Sequence, residues 1–223
     1  MVICLRRSWN LGSRRLPWAI AILPMLLCAS TGMRAQAPEQ NISFGGHHEF
    51  GIFSGYSPRA GAVVGYVENF TYRPTILRYS YLLSQRRGWE VRYAPELTVL
   101  SVLHENAPSS TNPGAPVTHY AAGFSPEGFQ LVLLPRRRIQ PFISNAGGLL
   151  YFNGRVLSPG GSQFMYTVDL GTGVNIFATR RNAVILGFRY QHLSNANISH
   201  HNPGADAQTF YVGFSHFHTK GVR

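Results

Sequence analysis

The chain has 223 residues, 20 Lys and Arg against 9 Asp and Glu, a formal net charge of +11 and two cysteines. This length sets a single domain as the starting expectation, and the lack of any run of about 18 consecutive apolar residues argues against a helical membrane protein. A basic chain ordinarily suggests nucleic acid, but Arg6, Arg7, Arg14, Arg15 and Arg34 all fall in the first 37 residues. The remainder carries only about +6, its arginines scattered in pairs, and no nucleic-acid partner is expected.

In chain order, the first element is a targeting segment. Arg6, Arg7, Arg14 and Arg15 precede an apolar run over 16–29, interrupted only by Pro17 and Pro24, and Ala35-Gln36-Ala37 follows. A basic region, a short apolar stretch and a small-x-small site form a secretory signal peptide, predicted over residues 1–37. Leu27 ahead of Cys28, where a small residue would be expected, argues against a lipoprotein. Cys4 and Cys28 leave with the signal, so no disulfide framework is expected in the exported domain, residues 38–223.

From His47 onward, apolar and aromatic residues alternate with Gly, Ser, Thr and Arg, the period of a strand. Eight runs are predicted, over 47–57, 71–84, 88–102, 119–134, 138–152, 162–178, 182–194 and 206–218. Each is long enough to cross a bilayer as a tilted strand of about 9–11 residues. Short connections at 85–87, 135–137 and 179–181 alternate with long ones at 58–70, 103–118, 153–161 and 195–205. Short turns on the periplasmic side and long loops outside are the habit of outer-membrane barrels. The expected fold is therefore all-β, an eight-stranded antiparallel transmembrane up-and-down β-barrel.

Parity within the strands assigns their faces. In 182–194, Val184, Leu186, Phe188 and Tyr190 share one side, fit for lipid, and Gly187, Arg189 and Gln191 the other. In the last run Phe210, Val212 and Phe214 face lipid while Thr209, Tyr211, Gly213 and Ser215 face inward. An eight-stranded barrel is just filled by its own side chains, so glycines, Arg189 and Asp169 pointing inward suit it and a diffusion pore does not.

The same parity puts His192, Ser194 and Asp206 on the lipid side, where ionisable groups are costly and need a reason. Residues two apart on a strand have Cβ atoms roughly 6.6 Å apart, within reach of an imidazole leaning from 192 toward 194. A cross-strand neighbour lies at about 5 Å, so Asp206 can hold the other ring nitrogen if the hairpin register sets it opposite His192. That is the logic of a nucleophile, a general base and an orienting carboxylate. The backbone amides of Asn195 and Ala196, or the Asn202 side chain, are candidate oxyanion donors.

This stretch resembles the outer-membrane lipid A 3-O-deacylases, the PagL family, whose pattern is His-x-Ser-Asn-Ala, an Asn in the following loop and an acid fourteen positions after the histidine. The matching residues are His192, Ser194, Asn195, Ala196, Asn202 and Asp206, in a region of close resemblance over about 186–217. The acid is an aspartate here, one methylene shorter than the glutamate familiar at that position. The resemblance implies a carboxylic ester hydrolase of the Gram-negative outer membrane that removes the 3-hydroxyacyl ester of lipid A through an acyl-serine intermediate, with no cofactor and no metal. Its partners would be lipopolysaccharide and outer-membrane lipids, and a homodimer stays open.

Three other readings stand beside it. In a non-catalytic small barrel with a structural or adhesive role, the His, Ser and Asp cluster would have decayed, and a hydrolase of phospholipid would keep the chemistry on another substrate. His192, His200, His201 and Asp206 contain metal-ligand types, but adjacent loop histidines are more often solvated than shared on one ion. A second Ser-Asn-Ala at Ser144, Asn145 and Ala146 has no histidine two residues before it and, with Gly147 and Gly148, reads as a packing stretch.

Overall fold

The structure, a computed structural model, describes residues 44–58, 60–61, 63–67, 69–106, 116–157, 161–199, 201–202 and 204–218. The signal peptide expected over 1–37 and both cysteines lie outside the described residues. Among the described residues there are ten strands: β1 His48–Tyr56, β2 Ala60–Gly61, β3 Phe70–Gln85, β4 Trp89–Tyr93, β5 Glu96–Glu105, β6 Val117–Leu133, β7 Ile139–Val156, β8 Ser162–Phe177, β9 Asn182–Ser194 and β10 Ala205–His218. All pair antiparallel, and β1 joins both β3 and β10, with His48 opposite His218, so the sheet closes on itself. With β4 and β5 counted as one stave and the two-residue β2 as an appendage of β10, the ring has eight strands. Closure removes the sheet edges that an open sheet would expose.

The run expected as one strand over 88–102 is broken in two. Pro95 has no N–H to give the ladder, and Ala94 and Pro95 stand between β4 and β5. The break stays satisfied because Ala94 N donates to Gly128 O at 2.8 Å and Tyr79 N to Pro95 O at 3.2 Å. The pairing of β6 with β7 shifts register between Phe124 and Glu127, around Pro126, as bulges do. The remaining staves follow the expected runs to within a few residues, and the connections alternate short and long except between β7 and β8, where β7 runs on to Val156 and only 157–161 remain of the long connection expected over 153–161.

Side chains obey the predicted parity. Val184, Leu186, Phe210, Val212 and Phe214 are exposed on the outer wall, while Ile185, Arg189, Gln191, Tyr211 and Ser215 are buried inside. The interior is charged and closed. Arg189 donates to both carboxylate oxygens of Glu96 at 2.7 Å each and lies 3.6 Å from Asp169. Glu49 accepts from Arg78 at 2.7 Å and from Ser80 and Ser215 at 2.6 Å each. Arg92 bonds Ser80 at 2.8 Å and Glu90 at 3.0 Å. Charges buried this deeply are costly unless paired and hydrogen-bonded. Glu49 and Glu96 meet both conditions, whereas Asp169 has its ion pair to Arg189 but, among the described residues, no hydrogen bond to either carboxylate oxygen.

Toward the long-loop end the filling changes from ionic to apolar. Phe70, Tyr72, Leu103, Leu150, Phe152 and Met165 form one buried cluster that also takes in Leu193, Ala205 and Ala207. Those last three alternate with His192, Ser194 and Asp206, so the outward residues of interest are mounted on strands whose inner faces are locked into a packed core. The Ser144, Asn145 and Ala146 stretch sits within β7, where a side chain at Gly148 would meet the backbone of Phe124 and Ser125. Close packing between staves accounts for that stretch.

Candidate active site

His192 and Ser194 close β9 and Asp206 opens β10, with His192 and Asp206 direct cross-strand partners. The register condition left open by the sequence is met, and His192 Nδ1 lies 2.7 Å from Asp206 Oδ1. An ionised carboxylate only accepts, so Nδ1 carries a proton, and in the neutral ring Nε2 is then the basic nitrogen. Ser194 stands two residues along on the same face, half-buried beside Tyr166 of β8. No hydrogen bond joins its hydroxyl to the imidazole among the described residues.

Asp206 has the parity of the lipid-facing residues yet is 0% exposed. Residues 60–61 and 63–65, within the stretch expected as a long connection over 58–70, cover it. β2 continues the line of β1 along β10, pairing Gly61 with Asp206 and Ala60 with Ala207. The chain then turns so that the backbone amides of Val63, Val64 and Gly65 donate to Asp206 Oδ2 at 2.7, 2.7 and 2.9 Å. Tyr66 N and Val67 N both donate to Gly204 O at 3.2 Å. Three successive amides converging on one oxygen form an anion nest, which compensates the loss of water around the carboxylate.

The described residues of the loop after β9 are likewise held by hydrogen bonds. Ile198 N donates to Asn195 O at 3.0 Å, and Ala196 and Asn197 both have positive φ, 50° and 63°, the signature of a type I′ turn. For a residue with a side chain, the left-handed region costs roughly 1–2 kcal/mol. Asn195 holds the turn against that cost: its Nδ2 donates to Ser199 Oγ at 2.6 Å and His201 O at 2.7 Å, and its Oδ1 accepts from Asn197 N at 2.9 Å.

The expected oxyanion donors separate into two kinds. The Asn195 amide is already committed, donating to Asn202 Oδ1 at 2.9 Å, so Asn195 organises the loop instead of offering a free N–H. This bond orients the Asn202 amide, because an N–H must face the oxygen and Nδ2 is thereby turned away. Asn202 Nδ2 and the Ala196 N–H have no hydrogen-bond partner among the described residues. Of the residues weighed as metal ligands, His201 is exposed, His192 and Asp206 direct their facing atoms at one another, and His200 lies outside the described residues.

Sequence reasoning missed the covering segment and two glycines that let it approach. At Gly65 a Cβ would fall 2.7 Å from the backbone of Gly204 and Ala205. Gly204, at φ +58°, has room for no side chain without approaching His192 Cε1 to 3.1 Å. A signal was present: Ala60-Gly-Ala-Val-Val-Gly-Tyr-Val is too apolar and β-branched for a solvated loop.

The family model for lipid A 3-O-deacylase (PagL) matches residues 75–215. The chain belongs to the PagL family. Among solved structures, the chain is similar to the outer-membrane enzyme PagL at 16% identity and a TM-score of 0.54, with 74% of this chain and 97% of that one covered. It is likewise similar to Neisserial surface protein A (NspA) at 13% identity and a TM-score of 0.51, covering 78% and 99%. At these identities the likeness is one of fold, an eight-stranded outer-membrane barrel. No curated protein matches the chain. As a PagL-family barrel the protein resides in the outer membrane of a Gram-negative bacterium. The PagL-family match takes in His192, Ser194, Asn202 and Asp206, but begins after the segment that covers Asp206.

Proposed function

We propose that this PagL-family protein is a serine esterase that hydrolyses the ester linking a 3-hydroxyacyl chain to lipid A in the outer leaflet, with Ser194 as nucleophile, His192 as general base and Asp206 as the orienting acid. The observation that carries the reading is the 2.7 Å contact between His192 Nδ1 and Asp206 Oδ1 on the outer wall, one strand repeat from Ser194. A neutral imidazole fixed in that tautomer has its basic nitrogen free for the serine proton. The absent Ser194 bond is compatible with this role, since a hydroxyl reorients by rotation about χ1 and catalytic hydrogen bonds tighten when substrate arrives.

Ser194 Oγ attacks the ester carbonyl as its proton passes to His192 Nε2, and the imidazolium is stabilised by Asp206. The tetrahedral oxyanion is held by Asn202 Nδ2 and the Ala196 N–H, two donors that no other group of the described residues occupies. Collapse expels the sugar 3-oxygen, which takes the proton from His192 and leaves as the 3-hydroxyl of lipid A. Water, deprotonated by the same imidazole, then frees Ser194 and releases the 3-hydroxy fatty acid. Long loops placed outside the cell would set this site at outer-leaflet depth, where lipid A resides.

Mass spectrometry of lipid A from cells with and without the protein tests the reading. The expected product is lipid A lighter by one ester-linked 3-hydroxyacyl group, absent with Ser194→Ala. Unchanged lipid A alongside a folded wild-type barrel would overturn the assignment in favour of a non-catalytic barrel, and loss of an acyl chain from phospholipid instead would change the substrate.

A further inference from the structure

The covering segment does more for Asp206 than exclude water. Val63, Val64 and Gly65 supply three backbone donors to Asp206 Oδ2, while Oδ1 faces His192. The carboxylate is therefore held from behind, and rotation about its Cβ–Cγ bond would break up to four hydrogen bonds at once. The approach is permitted by two facing glycines, since a Cβ on Gly65 would strike Gly204 and Ala205 backbone at 2.7 Å. Val63, Val64 and Tyr66 point their side chains away, 70%, 60% and 84% exposed on the outer side of the wall. The segment thus turns polar backbone inward and apolar side chains outward, as a strap lying at an acyl layer would.

We infer that Gly65, with the backbone amides of Val63 and Val64, is a positioning element for the reaction: it clamps Asp206 so that Oδ1 meets His192 Nδ1, although none of these residues touches the reacting atoms. This inference rests on the proposed esterase chemistry for its kinetic consequence, but the clamp itself has a signature independent of turnover. The Nδ1 proton of an imidazole bonded to a carboxylate resonates far downfield, and His192→Ala assigns it in the full-length protein in detergent.

In Gly65→Ala the strap must lift from Gly204, and that downfield resonance is expected to disappear while heat-modifiable mobility stays that of a closed barrel. With lipid A as substrate, kcat is expected to fall on the order of tenfold to a hundredfold, as for a misplaced orienting group, with KM little changed. The decisive comparison is with Asp206→Asn: a strap acting through Asp206 adds nothing on that background, whereas losses that multiply would overturn the inference. Wild-type kcat together with an intact resonance in Gly65→Ala would overturn it as well. If Gly65→Ala fails to close the barrel, Val64→Pro, which deletes a single donor, takes its place and is read the same way. A wild-type protein that leaves lipid A intact while Gly65→Ala still abolishes the resonance would reject the esterase reading and uphold the clamp.

Discussion

At the scale of single residues, the roles of His192, Ser194 and Asp206 separate by measurement. Ser194→Ala and His192→Ala are each expected to lower kcat on the order of 10³-fold or more with unchanged barrel mobility, because on the proposed mechanism they remove the nucleophile or its base and they add no polarity to the outer wall. Activity retained in Ser194→Ala would place the nucleophile elsewhere. Asp206→Asn is expected to lower kcat on the order of 10³–10⁴-fold, since an amide cannot hold the imidazole in the required tautomer and charge state. Asp206→Glu preserves charge, and from sequence alone it would be expected to keep substantial activity. The fully buried carboxylate, bonded on both oxygens at 2.7–2.9 Å, leaves no room for another methylene unless the strap yields. A rate between those of wild type and Asp206→Asn is expected, and turnover equal to wild type would show that the strap readily gives way.

At the scale of elements, the interior ion pairs act as rivets between staves distant in sequence. Arg189 on β9 reaches Glu96 on β5 and Asp169 on β8, so Arg189→Met would strand two carboxylates in the lumen. Breaking a buried pair from one side costs about 3–5 kcal/mol, which should appear as a lower urea midpoint of unfolding with the wild-type fold retained at zero denaturant. The parity of Arg189 and Asp169 was legible from alternation alone, as were the eight staves and the outward facing of His192 and Ser194. Partner choice across the lumen was not: Arg78 meets Glu49 across 29 residues and Arg189 meets Glu96 across 93, distances at which no local pattern carries information. The same limit hid the strap, whose donors to Asp206 come from 141 to 143 residues upstream. The break at Pro95 was visible in principle, since a proline inside a predicted strand marks a bulge or an edge.

At the scale of the whole molecule, the long connections at 57–69, 106–116 and 195–204 all lie at one end, which is predicted to face out. Epitope tags placed between Asn106 and Pro116, in a long connection, are expected to be accessible on intact cells, and tags at Arg137, in a short one, only after the envelope is opened. The reverse labelling would invert the barrel and remove the site from the outer leaflet. The apolar cluster around Phe152 and Leu193 lies directly behind the site strands, so Phe152→Ala would cost about 3–5 kcal/mol as a cavity. Its effect on rate should be small unless loss of that backing lets β9 move.

Placing His192 and Ser194 on the outside of the wall also changes what concentration means for this protein. A lipid substrate would reach the imidazole by lateral diffusion and never cross bulk water, so encounter is a two-dimensional event governed by mole fraction in the film. In mixed micelles of fixed total lipid A, adding detergent should slow hydrolysis in proportion to surface dilution, while adding more micelles of constant composition should leave the saturated rate unchanged. A rate that followed lipid A per litre instead would mean that substrate leaves the film before it meets Ser194.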